Sequence, residues 1–156
     1  MKNKPMFGLQ KKLKIMKEKI RCTWCHGVDI YIDYHDNEWG IPVHDDRELF
    51  EMLMLEGAQA GLSWITVLKK REGYRKAFDN FDAKKVAKYT DKKLEKLREN
   101  PAIIRNKLKI ASARTNAKIF LEVQKEFGSF DKYIWQFVGG KPIKNKFEEM
   151  SDVSAT

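Results

Sequence analysis

From Asp46 onward the apolar positions recur at helical spacing. Leu49, Met52, Leu53, Glu56 and Ala60 fall on one face at steps of three and four, with Asp45 or Asp46 placed to cap the start and Gly61 to end the run. A second helix is predicted from Ser63, an N-cap type, through Trp64, Val67 and Leu68 towards Phe78. Asp82–Lys88 and Asp91–Glu99 read as two short amphipathic helices, each opened by an Asp. Asn100-Pro101 marks a break. Ile104, Leu108, Ala111, Ile119, Val123 and Phe127 then mark one long helix that Gly128 stops, and Tyr133–Val138 a last short one before a loop at residues 139–142. Residues 22–44 are rich in aromatics, Asp and His and read as irregular. Residues 6–20 alternate apolar side chains with lysine, as a short basic helix or a tail. Strand patterns are nearly absent, so the expected fold class is all-α, in one domain of residues 21–156 preceded by a basic extension of residues 1–20.

Charge changes this picture because it is segregated. Residues 1–21 carry eight basic side chains and one acidic; residues 22–63 carry one basic and nine acidic. Residues 64–125 carry eighteen basic and seven acidic. The third block offers a cationic face for phosphates, the second a place for a cationic ligand. No apolar run approaches the roughly 20 residues of a membrane span. The N-terminal stretch lacks the apolar core of a secretion signal. The two cysteines, Cys22 and Cys25, do not suggest an oxidising compartment. A cytoplasmic, non-membrane protein is expected.

Four features could carry chemistry. Glu56 sits on the predicted apolar stripe, where a carboxylate loses solvation. It is either a buried Glu held by an Arg or helix end, or a fixed acceptor for a donor or cation. Trp24, Tyr31, Tyr34, Trp39 and Trp64 bracket it in sequence; they are core, or they box a planar, electron-poor ring. Cys22, Cys25, His26 and His35 are local candidates for zinc, although their spacing fits no standard finger. The run Cys22-Thr-Trp-Cys25-His26 also matches a haem-attachment pattern, which would need export. In the break at Asn100–Lys109, backbone N–H groups with Arg105, Lys107 and Lys109 suit a DNA phosphate, or the segment is an ordinary solvated turn.

Two long runs are more specific. They are Tyr31-Ile-Asp-Tyr-His-Asp-Asn-Glu-Trp-Gly-Ile-Pro42 and Leu55-Glu-Gly-Ala-Gln-Ala-Gly-Leu-Ser-Trp-Ile-Thr-Val-Leu-Lys-Lys-Arg71. With Arg21-Cys22 and Ile103-Ile-Arg105, in this order and spacing, they resemble the 3-methyladenine DNA glycosylase I family over roughly Arg21 to the end of the chain. The resemblance implies a helix-hairpin-helix glycosylase fold and a monofunctional base excision repair enzyme acting, as a monomer, on double-stranded alkylated DNA. It implies that Glu56 contacts the damaged adenine, with Tyr34 and Trp64 stacking on it and Trp24, Tyr31 and Trp39 around them. It places Leu62 near the gap left by a flipped base. It makes Cys22 and His35 half of a structural zinc site whose other His and Cys lie in a C-terminal segment this chain lacks. The chain is then cut short there, or Cys25 or His26 substitutes. Two other classes remain open: a DNA-binding or lesion-sensing module without turnover, and a zinc or haem protein built on residues 22–35.

Overall fold

A computed structural model describes residues 19–147, and among these the regular structure is helical, with no strand. The helices are α1 (Asp29–Asn37), α2 (Asp46–Gln59), α3 (Trp64–Leu68), α4 (Arg71–Ala77), α5 (Ala83–Val86), α6 (Asp91–Arg98), α7 (Lys107–Phe127) and α8 (Phe130–Trp135). Short 3-10 turns sit at Thr23–Cys25, Asp79–Phe81 and Gln136–Val138. The all-α expectation holds. Most of the expected basic extension, residues 1–20, lies outside the described residues.

The helix starts follow their capping chemistry. The Asp45 carboxylate accepts from the N–H groups of Arg47 and Glu48, opening α2. Asp82 does the same for α5 through Lys84 and Lys85. Thr90, rather than Asp91, caps α6. Asn106 accepts from Leu108 and Lys109 to open α7, so that helix begins after Ile104. Gly128 closes α7 in the left-handed conformation, as its sequence position suggests. The expected helix from Ser63 to Phe78 is broken at Lys69-Lys70 into α3 and α4. The segment read as irregular contains α1, which has no fully buried residue.

The faces of the two long helices differ from those the periodicity singles out. In α2 the core takes Phe50, Met54, Leu55 and Ala58. The stripe of Leu49, Met52, Leu53, Glu56 and Ala60 points elsewhere, and Leu49 and Met52 line an open apolar groove against α8. In α7 the core takes Ile110, Ala113, Ala117 and Phe120, whereas Leu108 is 78% and Ile119 52% exposed. Small Ala113 and Ala117 let α7 lie close to its neighbours; it packs on α2, α5, α6 and α8.

The carboxylate that is buried in α2 is Glu51, 6% exposed. Arg71 donates to it through Nε at 2.5 Å and Arg75 through Nη2 at 3.0 Å. The other end of the Arg71 guanidinium reaches Glu38, just past α1, at 2.6 and 2.7 Å. One residue of α4 therefore ties α1 to α2.

The turn between α6 and α7 docks on α4. Ile104 N–H donates to the Tyr74 hydroxyl, and Lys70 Nζ donates to the Pro101 carbonyl at 2.7 Å. Gly73 makes this approach possible, because a Cβ there would lie 2.1 Å from the Ala102 carbonyl oxygen. Gly73→Ala is expected to cost about 1–3 kcal/mol by forcing the turn outward, read as a lower urea midpoint. Glu51→Gln leaves two guanidinium groups without their buried counter-charge. It is expected to cost about 3 kcal/mol in the same measurement.

Candidate active site

Helices α1, α2 and α3 meet around an open cleft of about 340 Å³ lined by Trp24, Tyr31, Tyr34, Trp39, Glu56, Gln59 and Trp64. All six residues expected to form the base pocket therefore converge. Tyr31 and Tyr34 project from α1, one turn apart. Trp24 lies in the 3-10 turn before it, Trp39 just after it, and Trp64 opens α3. The rings pack largely edge to face. Trp24 meets Tyr31 with centroids 5.4 Å apart at 88° and Trp39 at 5.5 Å and 76°. Tyr34 meets Trp64 at 5.6 Å and 58°. Trp24 and Trp39 are 40% and 50% exposed, which leaves aromatic surface for a flat ligand.

Glu56 is exposed, a correction to the buried position expected of it. The apolar stripe that suggested burial faces the clefts and not the core. Glu51, five residues earlier and so rotated by roughly 140° about the helix, is the carboxylate held by arginines. Glu56 instead sits on the cleft wall, beside the aromatic rings. Its field is felt by Tyr34, whose phenol is pushed above its ordinary range first by burial, then by the negative charges of Glu56 and Glu38, against the opposing pull of Arg71. Gln59, absent from the expected set, lies three residues beyond Glu56 on the same helix. That spacing was the available signal.

The wall is braced from outside. Tyr31 Oη accepts from the Ile65 N–H at 2.8 Å, joining α1 to the first turn of α3. The trio Glu38, Arg71 and Glu51 lines a neighbouring cavity of about 530 Å³ behind Tyr34, where the charges are paired with one another.

Leu62 lies in the turn between α2 and α3, 40% exposed. Gly61, at φ 75°, permits that turn, and Leu62 N–H donates to Gln59 O at 2.6 Å. Arg105 and Lys107 are exposed at the start of α7. Lys109 differs from the phosphate contact expected of it. Its ammonium is already engaged, donating to Ala58 O at 2.8 Å and Ala60 O at 2.6 Å.

Cys22 and His35 are neighbours, with the Cys22 N–H 3.4 Å from His35 Nε2. His35 Nδ1 lies 3.0 Å from Asp36 Oδ1, and Asp36 is also held by Arg21. The Cys25 thiol turns onto the Cys22 carbonyl at 3.0 Å, and His26 is exposed. Among the described residues no group of three or more His, Cys, Asp or Glu is arranged to hold a metal ion. A tetrahedral structural zinc needs four ligands, so these residues alone do not fit one. No helix among them is long and apolar enough to cross a membrane.

Comparison with known proteins agrees with this geometry. Residues 24–156 match the family model described as methyladenine glycosylase. The DNA-3-methyladenine glycosylase of Haemophilus influenzae is 49% identical over 133 residues, covering 85% of this chain and 72% of that protein. The DNA-3-methyladenine glycosylase 1 of Escherichia coli K12 is 44% identical, covering 85% and 71%. A crystal structure of 3-methyladenine DNA glycosylase I superposes with a TM-score of 0.82 at 44% identity, covering 86% of this chain and 74% of that one. The Staphylococcus aureus enzyme, solved to show 3-methyladenine recognition, gives 0.82 at 37%, covering 86% and 71%. On sequence and fold together, the chain belongs to the methyladenine glycosylase family.

Proposed function

We propose that this protein is a monofunctional DNA glycosylase that hydrolyses the N-glycosidic bond of 3-methyladenine in alkylated double-stranded DNA. The observation that carries the reading is the cleft in which Glu56 stands beside Tyr34, Trp64, Trp24 and Trp39. The relatives named above are glycosylases of this base. A monomer working in the cytoplasm is the simplest form of this activity.

The chemistry asks little of the protein in acid–base terms. Methylation at N3 places a positive charge on the adenine, and the base then leaves as a neutral molecule. The burden falls on extracting the base, recognising it and admitting water. Glu56 supplies an acceptor and a negative charge at the edge of the base. Tyr34 and Trp64 stack on its faces, with cation–π attraction adding to the contact. Trp24, Tyr31 and Trp39 wall the pocket, and Leu62 is placed to fill the gap in the duplex. Arg105 and Lys107 are available to phosphates. No Asp occurs between Pro101 and Ser129, so the segment after the turn between α6 and α7 supplies no aspartate to the reaction.

The direct test is incubation with methylated duplex DNA and chromatography of what is released. Free 3-methyladenine is the expected product; tight DNA binding with no released base would favour a lesion-sensing module instead. Glu56→Gln is expected to weaken calorimetric binding of free 3-methyladenine roughly tenfold or more, and unchanged affinity removes Glu56 from recognition. The same substitution takes away one of the charges that raise the Tyr34 pKa. Its titration, followed by NMR, should move down towards the ordinary tyrosine range, and an unmoved curve would mean that the two side chains do not share a cleft.

A further inference from the structure

Lys109 belongs to the first turn of α7, immediately after the hairpin that follows α6. Its side chain crosses to the end of α2, 49 residues away in sequence from Ala60. There Nζ donates to Ala58 O at 2.8 Å and Ala60 O at 2.6 Å. These carbonyls sit at the negative end of the α2 dipole, where a cation is favourably placed. The segment so gripped bears function on both sides. Glu56 stands one turn before Ala60 and Gln59 lies within the gripped segment, both on the cleft wall, and just downstream is Leu62 in its turn. The neighbouring cations of the hairpin, Arg105 and Lys107, stay exposed. One basic side chain in this cluster is therefore turned onto the backbone that leads into Leu62.

We propose that Lys109 is a positioning residue that fastens the Leu62 turn to the hairpin, so that the DNA backbone grip and the insertion of Leu62 move as one body. The proposal rests on the glycosylase reading above. Orientation explains why such a tie would matter. Phosphate contacts set where the protein sits on the duplex, and a wedge that wanders relative to them meets the target step in the wrong register. Small misplacements of a positioned group, made far from the reacting bond, are enough to slow a reaction severely. Removing the ammonium leaves the aromatic side of the pocket in place, because Trp24, Tyr31, Tyr34 and Trp64 are held through α1 and α3, and Glu56 keeps its place within α2. It loosens the turn that follows α2.

The test uses the full chain with Lys109→Met, which keeps the aliphatic stem, alone and combined with Leu62→Ala. Single-turnover release of base from methylated duplex should fall about tenfold or more. Calorimetric affinity for free 3-methyladenine and the thermal midpoint should stay close to wild type. The slope of log binding constant against log salt should also be unchanged, and the double variant should be little worse than Leu62→Ala alone. Four results overturn the proposal. A salt slope reduced by about 0.9 would make Lys109 a phosphate contact after all. Free-base affinity and thermal midpoint falling in step with the rate would make it a general structural prop. A release rate equal to wild type, or losses that multiply in the double variant, would show that it does not act through Leu62. The wild-type chain is the control: if it releases no base, the glycosylase reading falls and takes this inference with it, whereas a wild-type rate matched by Lys109→Met removes the inference alone.

Discussion

The structure hangs on the guanidinium of Arg71, which is shared between Glu51 in the core and Glu38 at the end of α1. Helix α1 has no fully buried residue of its own, so apolar burial alone holds it weakly. It carries Tyr31 and Tyr34, and Trp39 follows it directly. The ion pairs that fasten it to α2 and α4 therefore decide whether the aromatic wall stands opposite Glu56. Burial is compatible with this charge cluster because every member has a partner; a lone carboxylate at Glu51 would be strongly unfavourable. Arg75 completes the count on that carboxylate.

The exposure of Glu56 bears on selectivity. In the open cleft its carboxylate keeps its water and costs the fold little. A flat ring entering between the aromatic side chains strips that water away. A neutral ring with no donor leaves the carboxylate desolvated and unpaired, a penalty on the order of 1–3 kcal/mol or more. A cationic ring carrying an amino group replaces the lost solvation with a charge-assisted hydrogen bond. On the proposed reading, discrimination would arise from what the pocket does to the wrong base as much as from what it offers the right one.

Much of this was legible in the sequence, and the failures have physical causes. The limits of α2 could be read from Asp45 and Gly61, and the end of α7 from Gly128. The buried faces could not. Helix α2 is apolar on two sides, since Leu49 and Met52 serve a groove while Phe50, Met54 and Leu55 serve the core; periodicity alone cannot rank two such stripes. In α7 the core contacts are made partly by Ala113 and Ala117, whose small side chains weigh little in a pattern although they set the closest packing. Helix α1 was hidden because Asp, Tyr, His and Asn are indifferent helix formers and its packing partners are aromatic rings instead of an aliphatic stripe. The site itself fared better: the five aromatic residues and Glu56 line one cleft, the grouping that the family resemblance implied. Lys109 was misplaced because nothing in a basic cluster distinguishes a cation facing solvent from one turned onto a helix end.

The central claim is that the cleft between α1, α2 and α3 is the seat of the methylated base. The four tryptophans make it directly testable, because Trp24, Trp39 and Trp64 line or border that cleft while Trp135 packs on His44 beside α8. Titration of the isotope-labelled protein with free 3-methyladenine, read at the indole N–H resonances, should shift the first three and leave Trp135 in place. Shifts confined to Trp135, or no shift in any of them at saturating base, would contradict the account.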